Sequence, residues 1–421
     1  MLGVTGVAAG GGYGFAKTLL SGGDQRSLGL ATTTTTSPVF PASTTSTTQA
    51  SVSPVAAVTD RVLVVIELEG GNDGLSTVVP TGDGRLHDLR PELAIGEDRL
   101  IPLTDGVGLH EGLAPIHDRG LMVVQGIGSA HPDGSHFEMR ARWWAGNSDT
   151  AFDSRTGFLG RLCDTLDQGA PITGVSLGHG PSPALESLTA HTTGLNDTSA
   201  AWFLADPDPW YTNLRDGLAA MSHSSATESA KLASAHEGIG NALSFGSILT
   251  GIDESATSGY PDTELGVALR AAATILDSRS GVRVIHVPTD GYDTHADQRS
   301  QHDSLMNDLG SSLAAFLDDL SAKGLADRTL VMTTSEFGRR AQQNGTGTDH
   351  GTAGPALLCG PIQPGVVGED PGIGNLDENG NLVATTPLEN YYASIAQGWF
   401  EIDSGRVLPK GSQPVAGAIS F

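Results

Sequence analysis

Several things are scarce in this sequence, and each scarcity excludes something. Its 421 residues contain two cysteines, Cys163 and Cys359, too few for a disulfide framework or a thiolate zinc ribbon. They are either two buried small hydrophobes or, if the chain is exported, one bridge. Aromatic residues make up only 5% and charged residues only 17%, so the chain is neither fibrous nor disordered throughout. Basic residues are outnumbered, 23 Lys and Arg against 48 Asp and Glu, for a net charge of −25. So acidic a surface repels phosphate backbones and anionic lipid, which argues against a nucleic-acid or membrane-surface binder. It suits solubility outside the cell or the holding of cations. Glycine (56) and proline (22) are plentiful instead. At ~150 residues per domain, the length allows one large domain or two medium ones.

The N-terminal sixty residues do not read as folded. Residues 1–16, MLGVTGVAAGGGYGFA, carry no charge, but they are too short and too glycine-rich to span ~30 Å of hydrocarbon. They resemble the apolar core of an export signal. The expectation is an export-signal remnant over 1–26, a twin-arginine route, and a basic start that precedes Met1. No other membrane segment is expected. In ATTTTTSPVFPASTTSTTQASVS (31–53), fourteen of twenty-three residues are Ser or Thr. Such a stretch buries too little apolar surface to offset its chain entropy. Residues 27–59 therefore read as a disordered linker of the kind found in exported spacers.

From Arg61 the texture changes. RVLVVIELEGG (61–71) is a β-branched run ending in glycines, a buried strand by length and composition. Further predicted strands are 121–128, 172–178, 282–288, 329–335 and 355–360. Helices are predicted over 135–146, 157–167 and 388–400. Leu305, Leu309, Leu313, Phe316, Leu317 and Leu320 recur at three- and four-residue steps, one apolar helix face. Alternation of strand and helix predicts an α/β fold, a mainly parallel central sheet sandwiched by helices. Residues 60–421 read as a single domain with a helical insertion at about 210–265.

Acids and histidines concentrate after the strands, and ligands of open parallel sheets bind beyond the carboxyl ends of their strands. The first strand runs into GGNDG with Asp73. The second runs into GSAHPDGSH with His131, Asp133, Ser135 and His136. TDGYDTH brings Asp290, Asp293 and His295, and SEFGRR brings Glu336, Arg339 and Arg340. NGTGTDHGTAG adds Asp349 and His350. Carboxylates crowded in one cleft resist joint ionisation unless a positive charge sits among them. A divalent metal is the simplest such charge, and a mixed Asp/Glu/His shell suits zinc or manganese.

GGNDGLSTVVP (70–80), SHF (135–137), GYDTHADQ (291–298), DRTLVMTTSEFGRR (327–340) and TDHGTAGP (348–355) together resemble the domain-of-unknown-function 1501 family. Those are exported bacterial proteins, often with twin-arginine signals, within the alkaline phosphatase/sulfatase superfamily. The resemblance, over roughly 60–400, implies that fold and a site layout. Asp73 matches the metal-binding aspartate after the first strand, Ser135 the nucleophile, Asp293 and His295 a later ligand pair, and His350 a final ligand. Where the superfamily has an Asp-His pair bridging two metals, this chain reads Glu336-Phe337. The histidine is gone, and either one metal remains, or His136 fills the gap, or the metal is lost.

Plainer readings stand beside these. GGNDG is also strong turn chemistry, Ser135 a helix cap, and Glu336 with Arg339 and Arg340 a surface ion-pair cluster. Glu67 and Glu69 share one side of their strand by alternation. His179, His191 and His236 are given no role. Two functions follow. One is an exported metal-dependent hydrolase of phosphate or sulfate esters, acting on a small-molecule or glycan ester. Asp73, Asp293, His295, Glu336, Asp349, His350 and His136 would hold metal, Ser135 or a bound water would attack, and Arg339 or Arg340 would neutralise the transferring group. The other is a non-catalytic binding or envelope-associated protein on the same scaffold.

Overall fold

Seven consecutive residues, Val62–Leu68, form strand β1, and all seven are buried. Burial on both faces requires cover on both faces, which the parity of the strand reveals. Val62, Val64, Ile66 and Leu68 belong to one apolar cluster, whereas Leu63 and Val65 belong to another. The computed structural model describes residues 60–149, 155–196, 204–223, 229–250 and 259–420. The expected export signal (1–26) and linker (27–59) lie outside the described residues.

The remaining strands are β2 (Val78–Pro80), β3 (Leu100–Thr104), β4 (Val107–His110), β5 (Leu121–Gly128), β6 (Gly174–Leu177), β7 (Thr192–Leu195), β8 (Val284–Thr289), β9 (Thr329–Thr334), β10 (Gly354–Cys359), β11 (Gly365–Val367) and β12 (Thr386–Pro387). The principal helices are α1 (His136–Ala145), α2 (Phe158–Leu166), α3 (Pro209–Met221), α4 (Ala230–Leu249), α5 (Glu264–Asp277), α6 (Gln298–Ala322) and α7 (Leu388–Ala393), the last running on as a π-turn through Trp399. Nine strands make one sheet in the order β11-β5-β10-β9-β1-β8-β6-β7, with β12 also on β5. The others, β2, β4 and β3, form a small antiparallel sheet.

The large sheet is parallel at every pairing except those of β10, which runs against both β5 and β9. That single reversal matters. Loops that leave β1, β5, β6, β8 and β9 emerge at one edge, and the segment that enters β10 starts from the same edge. Helices α5 and α6 cover one face, contributing Leu265, Leu269, Leu309, Leu313 and Phe316 to its cluster. Helices α1, α2 and α7 cover the other with Trp143, Leu162, Tyr391 and Trp399. The fold is thus α/β, with a mixed, mainly parallel sheet between helical layers. The 210–265 region contains α3 and α4. No helix among the described residues is long and apolar enough to cross a membrane. The two thiols, Cys163 and Cys359, are buried and unpaired.

Trp399 anchors the second face. It is fully buried, and its indole N–H donates to the Val62 carbonyl at 3.0 Å. Replacing a buried Trp by Ala leaves a large cavity and an unmet backbone acceptor. Trp399→Ala should cost about 3–5 kcal/mol, read as a lower denaturation midpoint at unchanged slope. A loss under about 1 kcal/mol would contradict this packing account.

Candidate metal centre

The active edge begins where β1 stops. Gly70 and Gly71 both have positive φ (114° and 90°), and neither tolerates a side chain. A Cβ on Gly70 would lie 2.3 Å from the Asp293 nitrogen, and one on Gly71 would lie 2.4 Å from the Phe337 ring. The pair lets three loops meet backbone to backbone.

Arg339 locks that meeting. Its Nε donates to Gly71 O (2.8 Å) and Nη1 to Thr348 O (3.0 Å). Its Nη2 reaches Gly70 O, Tyr292 O (3.0 Å) and the Asp293 carboxylate (2.6 Å). The guanidinium is 1% exposed, and all three nitrogens are engaged. The expectation that Arg339 meets a transferring group is therefore corrected: the residue is enclosed and saturated, and it positions the loops and Asp293. Arg340 is half-buried, and its Nε finds no partner.

Asp293, His136, His295, His350 and Glu336 gather in front of this lock. The Nε2 of His350 is 3.1 Å from Asp293 Oδ1 and 3.0 Å from His295 Nε2, which is itself 3.0 Å from Asp293 Oδ1. His136 Nε2 lies 3.5 Å from Asp293 Oδ2. Behind each of two imidazoles stands an acceptor. His350 Nδ1 is 2.8 Å from the Gly134 carbonyl, and His136 Nδ1 is 3.0 Å from Glu336 Oε1. A carbonyl or carboxylate cannot donate, so each Nδ1 carries the hydrogen. The Nε2 atoms of His136 and His350 are then left to face the Asp293 carboxylate, a meeting that a proton or a cation between them makes favourable. His136, Asp293 and His350 can each offer an atom within 4.8 Å of the others.

Glu336 supports the ring from behind. Its Oε1 also accepts from Gly70 N (2.8 Å), while Oε2 is buried without a partner. Phe337 stacks on His350 at 4.6 Å and lies 5.0 Å from His136, so the phenylalanine forms a wall beside the imidazoles. Burial pushes the Asp293 carboxyl up, but hydrogen bonds from Arg339 and His350 and the charge of Arg339 outweigh it and hold the group below its usual range. Asp349 stands at the rim, 3.7 Å from His295 Nδ1 and bonded to Asn344.

Ser135 occupies the N-cap position of α1, yet its side chain makes no cap bond. Instead its backbone N–H donates to Asp133 Oδ1 at 2.7 Å. Among the described residues its hydroxyl has no hydrogen-bond partner, so capping is not its role here.

Asp73 does not join the gathering, which corrects the expectation that all the acids share one ion. It is 1% exposed and pairs with Arg90 Nη1 at 2.6 Å, with further bonds from Ser76 and Gln298. Burial raises the Asp73 carboxyl, and the adjacent Arg90 guanidinium more than reverses the shift. Arg90 thus supplies the positive charge that the sequence reading assigned to a metal. Gln298 links the two regions, because its carbonyl accepts from Thr348 Oγ1 at 2.6 Å while Arg339 holds the Thr348 carbonyl. No local signal marks Arg90 for this contact. Gln298 closes the GYDTHADQ motif, the one hint available.

Residues 217–395 match the model of a family described as Protein of unknown function (DUF1501), the family that the motifs resemble. The matched stretch includes Asp293, His295, Glu336, Arg339, Asp349 and His350. No curated protein matches the chain. Among solved structures, Ps i-CgsB in complex with k-i-k-neocarrahexaose is similar at 12% identity, covering 83% of this chain and 74% of that one (TM-score 0.38). The lipoteichoic acid synthase LtaP from Listeria monocytogenes is similar at 10% identity, covering 85% and 74% (TM-score 0.36). The PsFucS1 sulfatase from Pseudoalteromonas sp. follows at 11%, covering 84% and 73% (TM-score 0.35).

Beneath Asp73, His302 is buried 3.4 Å from Thr77 Oγ1. Burial lowers its pKa to about 4, against an upward pull from Asp73. The unfolded chain protonates this ring near ~6.5, so between these values the unfolded state binds more protons. Stability must therefore fall as pH drops from ~6.5 toward 4, by about 3 kcal/mol in all. Denaturant titrations of wild type and His302→Gln across that window should diverge accordingly, and parallel curves would refute the assignment.

Proposed function

We propose that this chain is a metal-dependent hydrolase of phosphate or sulfate esters, working with one divalent cation at this edge. The observation that carries the reading is the pair of imidazoles whose Nδ1 hydrogens are tied to Glu336 and Gly134 and whose Nε2 atoms face Asp293. Ligand histidines are oriented by such backing acceptors. Asp293, His136 and His350 would hold the ion, with His295 beside them. The mixed nitrogen and oxygen donors suit zinc or manganese. Glu336 acts as the support of His136 and Asp349 as that of His295. Asp73 is excluded because Arg90 already neutralises it.

When bound, the ion would polarise an ester oxygen and lower the pKa of a nearby hydroxyl or water. The protein's own groups do the rest. The Ser135 hydroxyl, adjacent to His136 and without a hydrogen-bond partner, is the nucleophile available. The first N–H groups of α1, a ten-residue helix, lie beside it and stabilise negative charge on the transferring group. His295, 46% exposed at its side chain, is placed to carry protons between the site and solvent. The acidic surface and the Ser/Thr-rich stretch ahead of Asp60 support work outside the cytoplasm. A competing reading, a binding protein on the same scaffold, is favoured by the Asp73–Arg90 pair and by Phe337, both of which remove a metal position.

Metal analysis of the purified full chain separates them. Asp293→Asn, which keeps an acceptor for Arg339, and His350→Ala should each remove one equivalent of bound metal from a chain that still melts cooperatively. Ser135→Ala should lower kcat on the best substrate of an aryl phosphate, phosphodiester and sulfate panel by about 10³-fold at unchanged metal content. A wild-type chain that binds no metal and hydrolyses nothing on the panel would leave the binding protein as the answer.

A further inference from the structure

A second group of ionisable side chains lies on the same edge, one helical turn along α1 from the first. His136, Arg140 and Trp144 recur every four residues and so form one stripe of that helix. His136 faces Asp293. Arg140 and Trp144 face the odd-numbered side of β1, where Glu67 and Glu69 continue the parity of Leu63 and Val65. The loop after β8 adds Asp290 and the loop after β6 adds His179.

The contacts here are unequal. Glu67 is fully served: Trp144 Nε1 donates to it (3.0 and 3.2 Å), Arg140 Nε reaches it at 3.3 Å, and His286 Nε2 lies 2.8 Å away. Glu69 uses Oε1 for Arg140. Its other oxygen, Oε2, faces His179 Nδ1 at 3.8 Å, and His179 Nε2 faces Asp290 Oδ2 at 3.7 Å. Both distances exceed a hydrogen bond. The two contacts use different nitrogens of one ring, so His179 would give a shared ion only one of them. The three residues' donor atoms, within 4.8 Å of one another, would draw in toward the ~3–3.5 Å spacing of donors on one cation. The Glu69 side chain is only 10% exposed.

The charge balance points the same way and does not depend on that geometry. Glu67, Glu69 and Asp290 bring three carboxyls together, and Arg140 is the one permanent cation bonded to them. His286 answers Glu67 alone. Like carboxyls in contact cannot all ionise without a proton or a cation between them.

We propose that Glu69, Asp290 and His179 form a second divalent-cation site, distinct from the Asp293 centre. Glu69, His179 and Asp290 can each offer an atom within 4.8 Å of the others. Two carboxylate oxygens and one imidazole nitrogen suit Zn²⁺ or Mn²⁺ better than the all-oxygen preference of Ca²⁺ or Mg²⁺. His179 and Asp290 are exposed, so the ion has a path in from solvent. Glu67, held by Trp144, Arg140 and His286, buttresses Arg140 and keeps Glu69 turned outward. The site stands whether or not the Asp293 centre is a hydrolase.

The test titrates Mn²⁺ or Zn²⁺ alone into the full chain, with calorimetry and metal analysis. Wild type should bind two equivalents, and His350→Ala, which disables the Asp293 centre, should retain one. Adding Asp290→Asn to His350→Ala should abolish that one. His179→Ala and the isosteric Glu69→Gln should each weaken it at least tenfold, with unchanged melting transitions confirming the fold. A wild type whose stoichiometry is unchanged by Asp290→Asn would overturn the proposal and leave the Asp293 centre standing. Loss of metal with Asp290→Asn but not with His350→Ala would do the reverse.

Discussion

The guanidinium of Arg339 is the contact on which the active edge depends. One buried cation holds carbonyls from the 70–71, 292 and 348 segments and the carboxylate of Asp293. None of these segments contains regular structure that would place it unaided. The glycines at 70 and 71 make the approach possible, and Arg339 makes it specific. A lysine could offer charge but not the planar fork that satisfies several acceptors in fixed directions. The imidazoles then inherit their places. His350 bridges back to Arg339 across a short antiparallel contact, and Asp293 is fixed by the same guanidinium.

Charge is handled in two layers. In the deeper layer, arginines inside the protein neutralise acids: Arg90 for Asp73 and Arg339 for Asp293. In the outer layer, histidine ring nitrogens face carboxylates. The Asp73–Arg90 pair is buried on both sides, where removing one partner strands the other at a cost of several kcal/mol. In the Asp293–Arg339 pair only the arginine is enclosed. The outer groups are open enough for exchange with solvent. Structural and chemical demands on acidic residues are thereby separated by depth, although the residues come from the same loops.

Much of the scaffold is legible in the sequence. The 121–128 strand is observed with those bounds, and the 355–360 strand is shifted by one residue. Both are short apolar runs with clear punctuation. Helix α6 begins at Gln298, before the apolar stripe that starts at Leu305, because Gln298 and His302 are buried polar residues that interrupt the pattern. The convergence of Asp293, His295, Glu336 and His350 is legible from their place after strands. What the sequence hides is depth. Asp73 and Asp293 follow strands in the same way, and only packing shows that one meets Arg90 while the other meets imidazoles. Arg339 likewise reads as a surface charge until the three loops close over it. Glu67 and Glu69 were legible as neighbours by parity, but His179 and Asp290 come from other strands with no local mark of partnership.

The Asp73–Arg90 pair has a consequence for how such a protein is made. Where an ion completes the interior, a chain must acquire it in order to fold, and supply of that ion limits maturation. Here the innermost acid is balanced by a residue the ribosome has already installed. This part of the interior therefore folds without waiting on the supply of an ion.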